Sequence, residues 1–220
     1  MPFVTFIVPE IPADHEERFT AELEKSGPEI KALPSVLGVA YGPIVANDGK
    51  PVTEFKYIQI IGNIPFHHHH RLKTQLIPIS AFATKEDHGK FFNSDYFQGK
   101  SKSIQEKGIP VPRTVLFDLV DLPKVPVTTQ FVRFTYVTVS DESKLLAARD
   151  AHGEVMTAIG HERYSGKSVD SPEIIGLGVC GFDTLDEALA AFETPAAKAA
   201  FEKYKALGEF KDVVVKRTIV

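Results

Sequence analysis

Apolar positions along this chain alternate between two periods, and the alternation runs in the same order twice. Residues 3–8 (FVTFIV) form a short β-rich run, and between Ala13 and Leu33 the residues Phe19, Leu23, Ile30 and Leu33 stand among charges at spacings that fit one helix face. Pro34 ends that helix. Val36 to Val45 then reads as a strand, Asn47-Asp48-Gly49-Lys50 as a tight turn, and Glu54 to Ile61 as the hairpin partner. A second helix is predicted from Ile79 to about Lys107, weakened by Gly89 and Gly99, before a closing strand from Arg113 to Val120.

The proline-containing stretch 121–129 reads as a linker, and the order then repeats. Gln130 to Val139 alternates as a strand, Asp141 to Ile159 is an amphipathic helix with Ser140 as its expected N-cap, and His161 to Val169 with Glu173 to Cys180 form a strand pair. The alanine-rich stretch from Thr184 to Leu207 is the strongest helix, and Asp212 to Val220 the last strand. FFNSDYFQG at 91–99 lies over AFETPAAKA at 191–199, with Phe92 over Phe192 and Ser94 over Thr194. The pattern predicts an α+β protein made by internal duplication, with β-α-β-β-α-β units at 1–122 and 123–220. A four-stranded antiparallel sheet with two helices on one face leaves the other face bare. The expected fold is therefore two ferredoxin-like units packed sheet to sheet as a single-chain α+β barrel.

This pattern resembles the dimeric α+β barrel superfamily, in its stress-response, EthD-like and antibiotic-biosynthesis-monooxygenase branches. The resemblance is carried by a strand near residue 55 followed by a helix with Phe92, Ser94 and Phe97, repeated as Phe192, Thr194 and Ala197. It implies that one chain makes the barrel that relatives make from two subunits. Members of the superfamily include cofactor-independent monooxygenases, polyketide cyclases, muconolactone isomerases and haem-degrading enzymes, so membership alone selects no reaction.

The halves depart from each other after the third strand. Cys180 is followed almost at once by the helix at Thr184, whereas Ile61 is followed by an insertion, GNIPFHHHHRLKTQLIP at 62–78, containing His67, His68, His69 and His70. This tract reads as an exposed loop, as a lid lending one or two histidines to a pocket, or as a dedicated metal site. The last is the least favoured, because no C-x-x-C or H-E-x-x-H context accompanies it, and no metal ligand is assigned. His88 stands at the start of the second helix, where the other half has Ala188, and is a candidate general base as well as a candidate surface histidine.

Strand parity supplies the other candidates. Tyr57 and Gln59 share a face with Phe55 and Ile61, and are expected to point into the barrel. Phe131, Arg133, Thr135 and Val137 oppose Val132, Phe134 and Tyr136, and either face could line the lumen. Arg133, if buried, needs an acidic partner or a ligand anion. Tyr41 and Tyr164 on the corresponding second strands are candidate lining residues. His152 and His161 lie near Glu154 and Glu162, which could fix a tautomer, but no nucleophile is placed beside them. Ser165 lacks an identifiable base, Cys180 reads as a buried structural thiol, and GLGVCG is not a dinucleotide loop.

Composition then excludes whole classes of partner. The chain has 220 residues, with Lys+Arg 25 against Asp+Glu 29 and a net charge of −4. Basic and acidic residues are interleaved, which argues against nucleic-acid binding. A lone cysteine makes no intramolecular disulfide, and the first residues lack the basic start and long apolar run of a signal peptide or membrane span, so a cytoplasmic protein is expected. Sixteen phenylalanines and six tyrosines offer surface for a small apolar aromatic ligand. The leading expectation is a small-molecule enzyme without a cofactor. It would act on a phenolic or polyketide-like substrate, with His88 or one of His67 to His70 as base, Tyr57 as donor, and Gln59, Tyr41, Arg133 and Tyr164 against the ligand. The alternatives are a non-catalytic, stress-associated binding protein and a haem-binding barrel. A homodimer through the outer helices is compatible with each.

Overall fold

The computed structural model describes residues 3–8, 16–36, 39–52, 57–62, 82–106, 113–121 and 129–219. In chain order these form β1 (Phe3–Val8), α1 (Glu16–Lys31), β2 (Val39–Asn47), β3 (Lys50–Pro51), β4 (Tyr57–Gly62), α2 (Lys85–Phe92), α3 (Asp95–Glu106) and β5 (Arg113–Asp121). The second series is β6 (Phe131–Val139), α4 (Glu142–Ala158), β7 (Ser165–Ser168), β8 (Ile174–Phe182), α5 (Leu185–Ala190), α6 (Pro195–Lys205), β9 (Glu209–Lys216) and β10 (Thr218–Ile219). The fold is α+β, and the β-α-β-β-α-β order is written twice.

The first repeat has the strand order β5-β1-β4-β2 and the second β9-β6-β8-β7. Both are the ferredoxin-like order, in which the third strand lies between the first and second. Contacts divide the chain into one unit of residues 1–43, 54–116 and 218–220 and another of 44–53 and 117–217. Within the first unit β4 pairs antiparallel with β1 (Val4↔Gly62) and with β2 (Val39↔Ile61), and β10 pairs with β2 at Tyr41. Within the second, β6 runs between β8 and β9 along its whole length, β9 pairs with residues 44–47, and β7 with residues 117–121.

Local chemistry sets the element ends. Asp48 and Gly49 both adopt positive φ, 48° and 73°, which a two-residue hairpin turn of the mirror-image type requires. The turn leads into the two-residue β3, which pairs with Ala46 and Asn47, and the predicted hairpin partner at 54–61 is described from Tyr57 onward, where β4 pairs with β2. The N-cap of α4 is Asp141 rather than Ser140, since the Asp141 carboxylate accepts from Lys144 N at 2.9 Å.

Each helix predicted to be continuous, at 79–107 and 184–207, is stopped and restarted. Ser94 Oγ accepts from Phe97 N at 3.2 Å, and Thr194 Oγ1 accepts from Ala197 N at 3.3 Å. These hydroxyls cap new helices, α3 and α6, and Pro195 fits the first turn of α6 because that turn needs no N–H there. The preceding helices begin alike, with Thr84 Oγ1 accepting from Asp87 N and Thr184 Oγ1 from Glu187 N, each at 3.1 Å. The capping residues Thr84, Asp87 and Ser94 thus recur one hundred residues on as Thr184, Glu187 and Thr194 in the same roles.

The register also locates the insertion. Phe3 pairs with Phe82 and Val4 with Gly62, whereas Phe131 pairs with Phe182 and Val132 with Gly181. The segment between Gly62 and Phe82, with the four histidines, therefore enters where the second half has the adjacent pair Gly181 and Phe182. His67 to His70 themselves lie outside the described residues. Replacing the cap in Thr194→Ala is expected to cost about 1 kcal/mol in urea unfolding, with Thr194→Ser near wild type.

Candidate functional site

In the second unit the face of the sheet that meets the helices is built from alternate residues. Arg133, Thr135 and Val137 on β6 stand beside Cys180, Gly178 and Gly176 on β8, and beside Val214, Asp212 and Phe210 on β9. α4 covers this face with Leu145, Ala148, His152 and Val155, buried and spaced three or four residues apart, and with the buried Met156 beside them. α6 covers it with Ala197 and Tyr204.

The two glycines of β8 make room for the helices. A Cβ at Gly178 would collide with His152 Nε2 and Thr135 Oγ1, and one at Gly176 would come within 3.1 Å of both Leu145 and Val137. The His152 ring takes the space over Gly178, with the Tyr204 ring centroid 5.6 Å away. Beside them is a cavity of about 140 Å³, with Val137, Leu145, Ala148 and Leu177 among its lining residues and Arg149, Ser165 and Lys167 as polar ones.

His152 is 3% exposed, and its Nδ1 is sealed from solvent with no hydrogen-bond partner among the described residues. Burial holds its pKa down at about 4, the Arg163 cation adds to this, and Asp121 works in the opposite direction. The imidazole is neutral at physiological pH, and His152 is one of the residues lining the cavity. Tyr204 keeps its proton, its hydroxyl pushed up to about 12 by burial and standing 3.4 Å from Thr135 Oγ1.

Asp121 organises the other wall. Its carboxylate accepts from Arg149 Nε and Nη2 at 2.8 and 2.7 Å, from Arg163 Nη2 at 3.2 Å and from Ser165 Oγ at 2.5 Å. The Arg149 bonds lead in holding Asp121 at a pKa of about 2, and it is a fixed anion at any ordinary pH.

Arg133 lies beneath the helices. It donates to Asp212 through Nε at 2.8 Å and through Nη2, gives Nη1 to the Ala188 carbonyl at 2.7 Å, and lies 3.8 Å from the centroid of the Phe192 ring. Both charged side chains are 3% exposed. Burial pushes the Asp212 carboxyl up and the guanidinium pulls it back. The acidic partner that a buried Arg133 demands is thus supplied by β9, on a face shared with Thr135 and Val137.

The other sequence candidates are dispersed. Tyr164 is buried in the second unit and its hydroxyl is raised well above the usual range by burial. Tyr41 is buried in β2, its pKa raised by burial and by Glu24. Tyr57 and Gln59 are backbone partners of Pro43 and Tyr41 in β4, and their side chains are outside the described set. His88 is half-buried on α2, its ring 5.2 Å from Phe82 and 4.4 Å from Phe92. His161 and Cys180 do meet, Nδ1 to Sγ at 3.3 Å, but burial raises the thiol to about 12 and leaves it a poor nucleophile. Glu154 turns to Lys203 at 2.8 Å instead of fixing a histidine tautomer.

The cavity was legible in two signals. His152 falls on the apolar stripe of α4, between Ala148 and Val155, where a polar residue is out of place. In GLGVCG, Gly176 and Gly178 alternate on one strand face and so vacate it.

No family model and no curated relative matches the sequence. Solved structures do match the fold. An anthrone oxidase-like protein aligns with a TM-score of 0.63 at 13% identity, covering 99% of this chain and 92% of that one. A proposed monooxygenase from Fusobacterium nucleatum subsp. nucleatum ATCC 25586 aligns at 0.62 and 14% identity, covering 99% and 93%. A proposed monooxygenase from Lactobacillus acidophilus NCFM aligns at 0.57 and 14%, covering 100% and 95%. At these identities the likeness is one of fold alone, an α+β arrangement shared over nearly the whole chain. No described helix is long and apolar enough to cross a membrane, and the described residues contain no cluster able to hold a metal ion.

Two stability measurements check the electrostatics. Arg133→Met strands the Asp212 charge and should cost about 3–5 kcal/mol, while adding Asp212→Leu should recover most of the loss in urea unfolding. The His152 pKa is lowered from 6.5 to about 4, so the unfolded chain binds a proton in that window that the folded chain does not. Its contribution is whole above pH 6.5, declines as pH falls, and is gone near pH 4. The stability of wild type minus that of His152→Leu should therefore drop by roughly 3 kcal/mol from pH 7 to pH 4.

Proposed function

We propose that the protein is a small-molecule enzyme that takes a proton from a phenolic substrate of one ring, in a step that needs no redox cofactor. The observation that carries this reading is the neutral His152 in the wall of a mainly apolar cavity of about 140 Å³. A hydrocarbon-lined cavity of about 150 Å³ is enough to take up benzene, so this volume suits a single aromatic ring. A porphyrin is several times larger and does not fit this cavity.

A phenol seated there transfers its proton to His152, leaving a phenolate beside an imidazolium. Burial makes the isolated imidazolium unfavourable, so the proton moves only when the anion stays alongside and the two charges offset each other. The Tyr204 hydroxyl, protonated at working pH, is the nearby donor to the phenolate oxygen. A phenolate is activated at its ring carbons, which is the shared first step of cyclisation, isomerisation and oxygenation. The fold-level likeness to monooxygenase-like and oxidase-like proteins agrees with such chemistry and selects none of the three. His152 is preferred to His88 as the base because it is nearly fully buried beside a cavity, whereas His88 is half-buried between two phenylalanine rings.

Exchange of the ring hydrogens of resorcinol with D2O, followed by proton NMR, tests the step. The protein should accelerate exchange, and His152→Phe should lose about 10²–10⁴-fold of that acceleration while still binding the ring. Saturable binding with no acceleration would make the protein a carrier.

A further inference from the structure

Asp121 engages only part of the Arg149 side chain. Nε and Nη2 are bonded to the carboxylate, while Nη1 makes no hydrogen bond among the described residues. Arg149 lines the cavity, and so does Lys167 on β7, which forms no ion pair among the described residues. Glu142, in the first turn of α4, is the only acid among the described lining residues. Two cationic side chains and one carboxylate thus stand in the described lining, with His152, Ser165, Tyr204 and apolar residues making up the rest.

With Asp121 and Arg163 counted, three cations stand against two carboxylates, and a neutral phenol does not use the surplus. Asp121 fixes the guanidinium plane through two bonds, and Arg163 and Ser165 hold Asp121 in turn. A guanidinium held in this way, with one amino group left over, is preorganised to receive an anion.

We propose that the ligand of this cavity is an aromatic hydroxy acid, whose carboxylate is received by Arg149 with Lys167 assisting while its ring occupies the apolar part beside His152. This rests on the reading of the cavity as a phenol site and adds the second functional group of the substrate. Asp121 acts as a positioning residue, through Arg149.

Isothermal titration of the full chain with phenol, 3-hydroxybenzoate and 4-hydroxybenzoate tests it. In wild type at least one hydroxybenzoate should bind about tenfold or more tighter than phenol. That ratio should fall toward one in Arg149→Met, recover partly in Arg149→Lys, and narrow in Lys167→Met. If Arg149→Met fails to fold by circular dichroism, a salt series on wild type gives the same answer. Hydroxybenzoate affinity should then fall with added salt while phenol affinity does not. A ratio of one or less in wild type, or an unchanged ratio in a folded Arg149→Met, overturns the assignment. Phenol binding with no preference for the acid would remove this inference alone, whereas absence of binding by all three compounds would remove the phenol reading with it.

Discussion

The site depends on what β8 does not carry. On the face turned to α4 its residues are Gly176 and Gly178, and the missing side chains determine how close the helix sits and where the space is left. A methyl group at Gly178 would occupy the position of the His152 ring edge, so the imidazole, the glycine and Thr135 form one packing unit. Interiors are normally filled to crystal-like density, and a hollow survives only where something else holds its walls apart. Here Leu145 and Val137 bracket Gly176 on one side, while the Asp121 network fixes the other.

A second constraint works beside the hollow. Arg133 and Asp212 place a full ion pair between sheet and helices, and the third Arg133 donor is used by the Ala188 carbonyl of α5. Replacing such a pair with hydrocarbon is often neutral for stability, so its value here is geometric. It ties β6, β9 and α5 together in one register, and its stacking on Phe192 fixes the helix break at Thr194 over the same spot. The polar cluster and the hollow are thus neighbours on one sheet face, one closed and the other open.

The architecture was written plainly in the sequence, because strand and helix periods differ and the order of elements repeats. The matched pairs Phe92 and Phe192, Ser94 and Thr194 were read as similarity alone; in the structure they are ring contacts and helix caps. What periodicity missed was that these hydroxyls interrupt the helices. Alanine-rich stretches keep their propensity across a cap, and only side-chain geometry shows the break. Site residues were less legible still. Arg133 could be seen to need a partner, yet Asp212 is 79 residues away and nothing local links them. His152 was noticed for nearby acids, when its meaning lay in the apolar stripe around it.

The two copies of the unit have been spent differently. In the first, extra chain has entered between the equivalents of Gly181 and Phe182, at Gly62 and Phe82, and the positions matching Gly176 and Gly178 are Tyr57 and Gln59. The second copy kept the short connection and emptied its strand. Among the described residues, those lining the hollow all fall in the unit of residues 44–53 and 117–217, with Val120 of β5 among them.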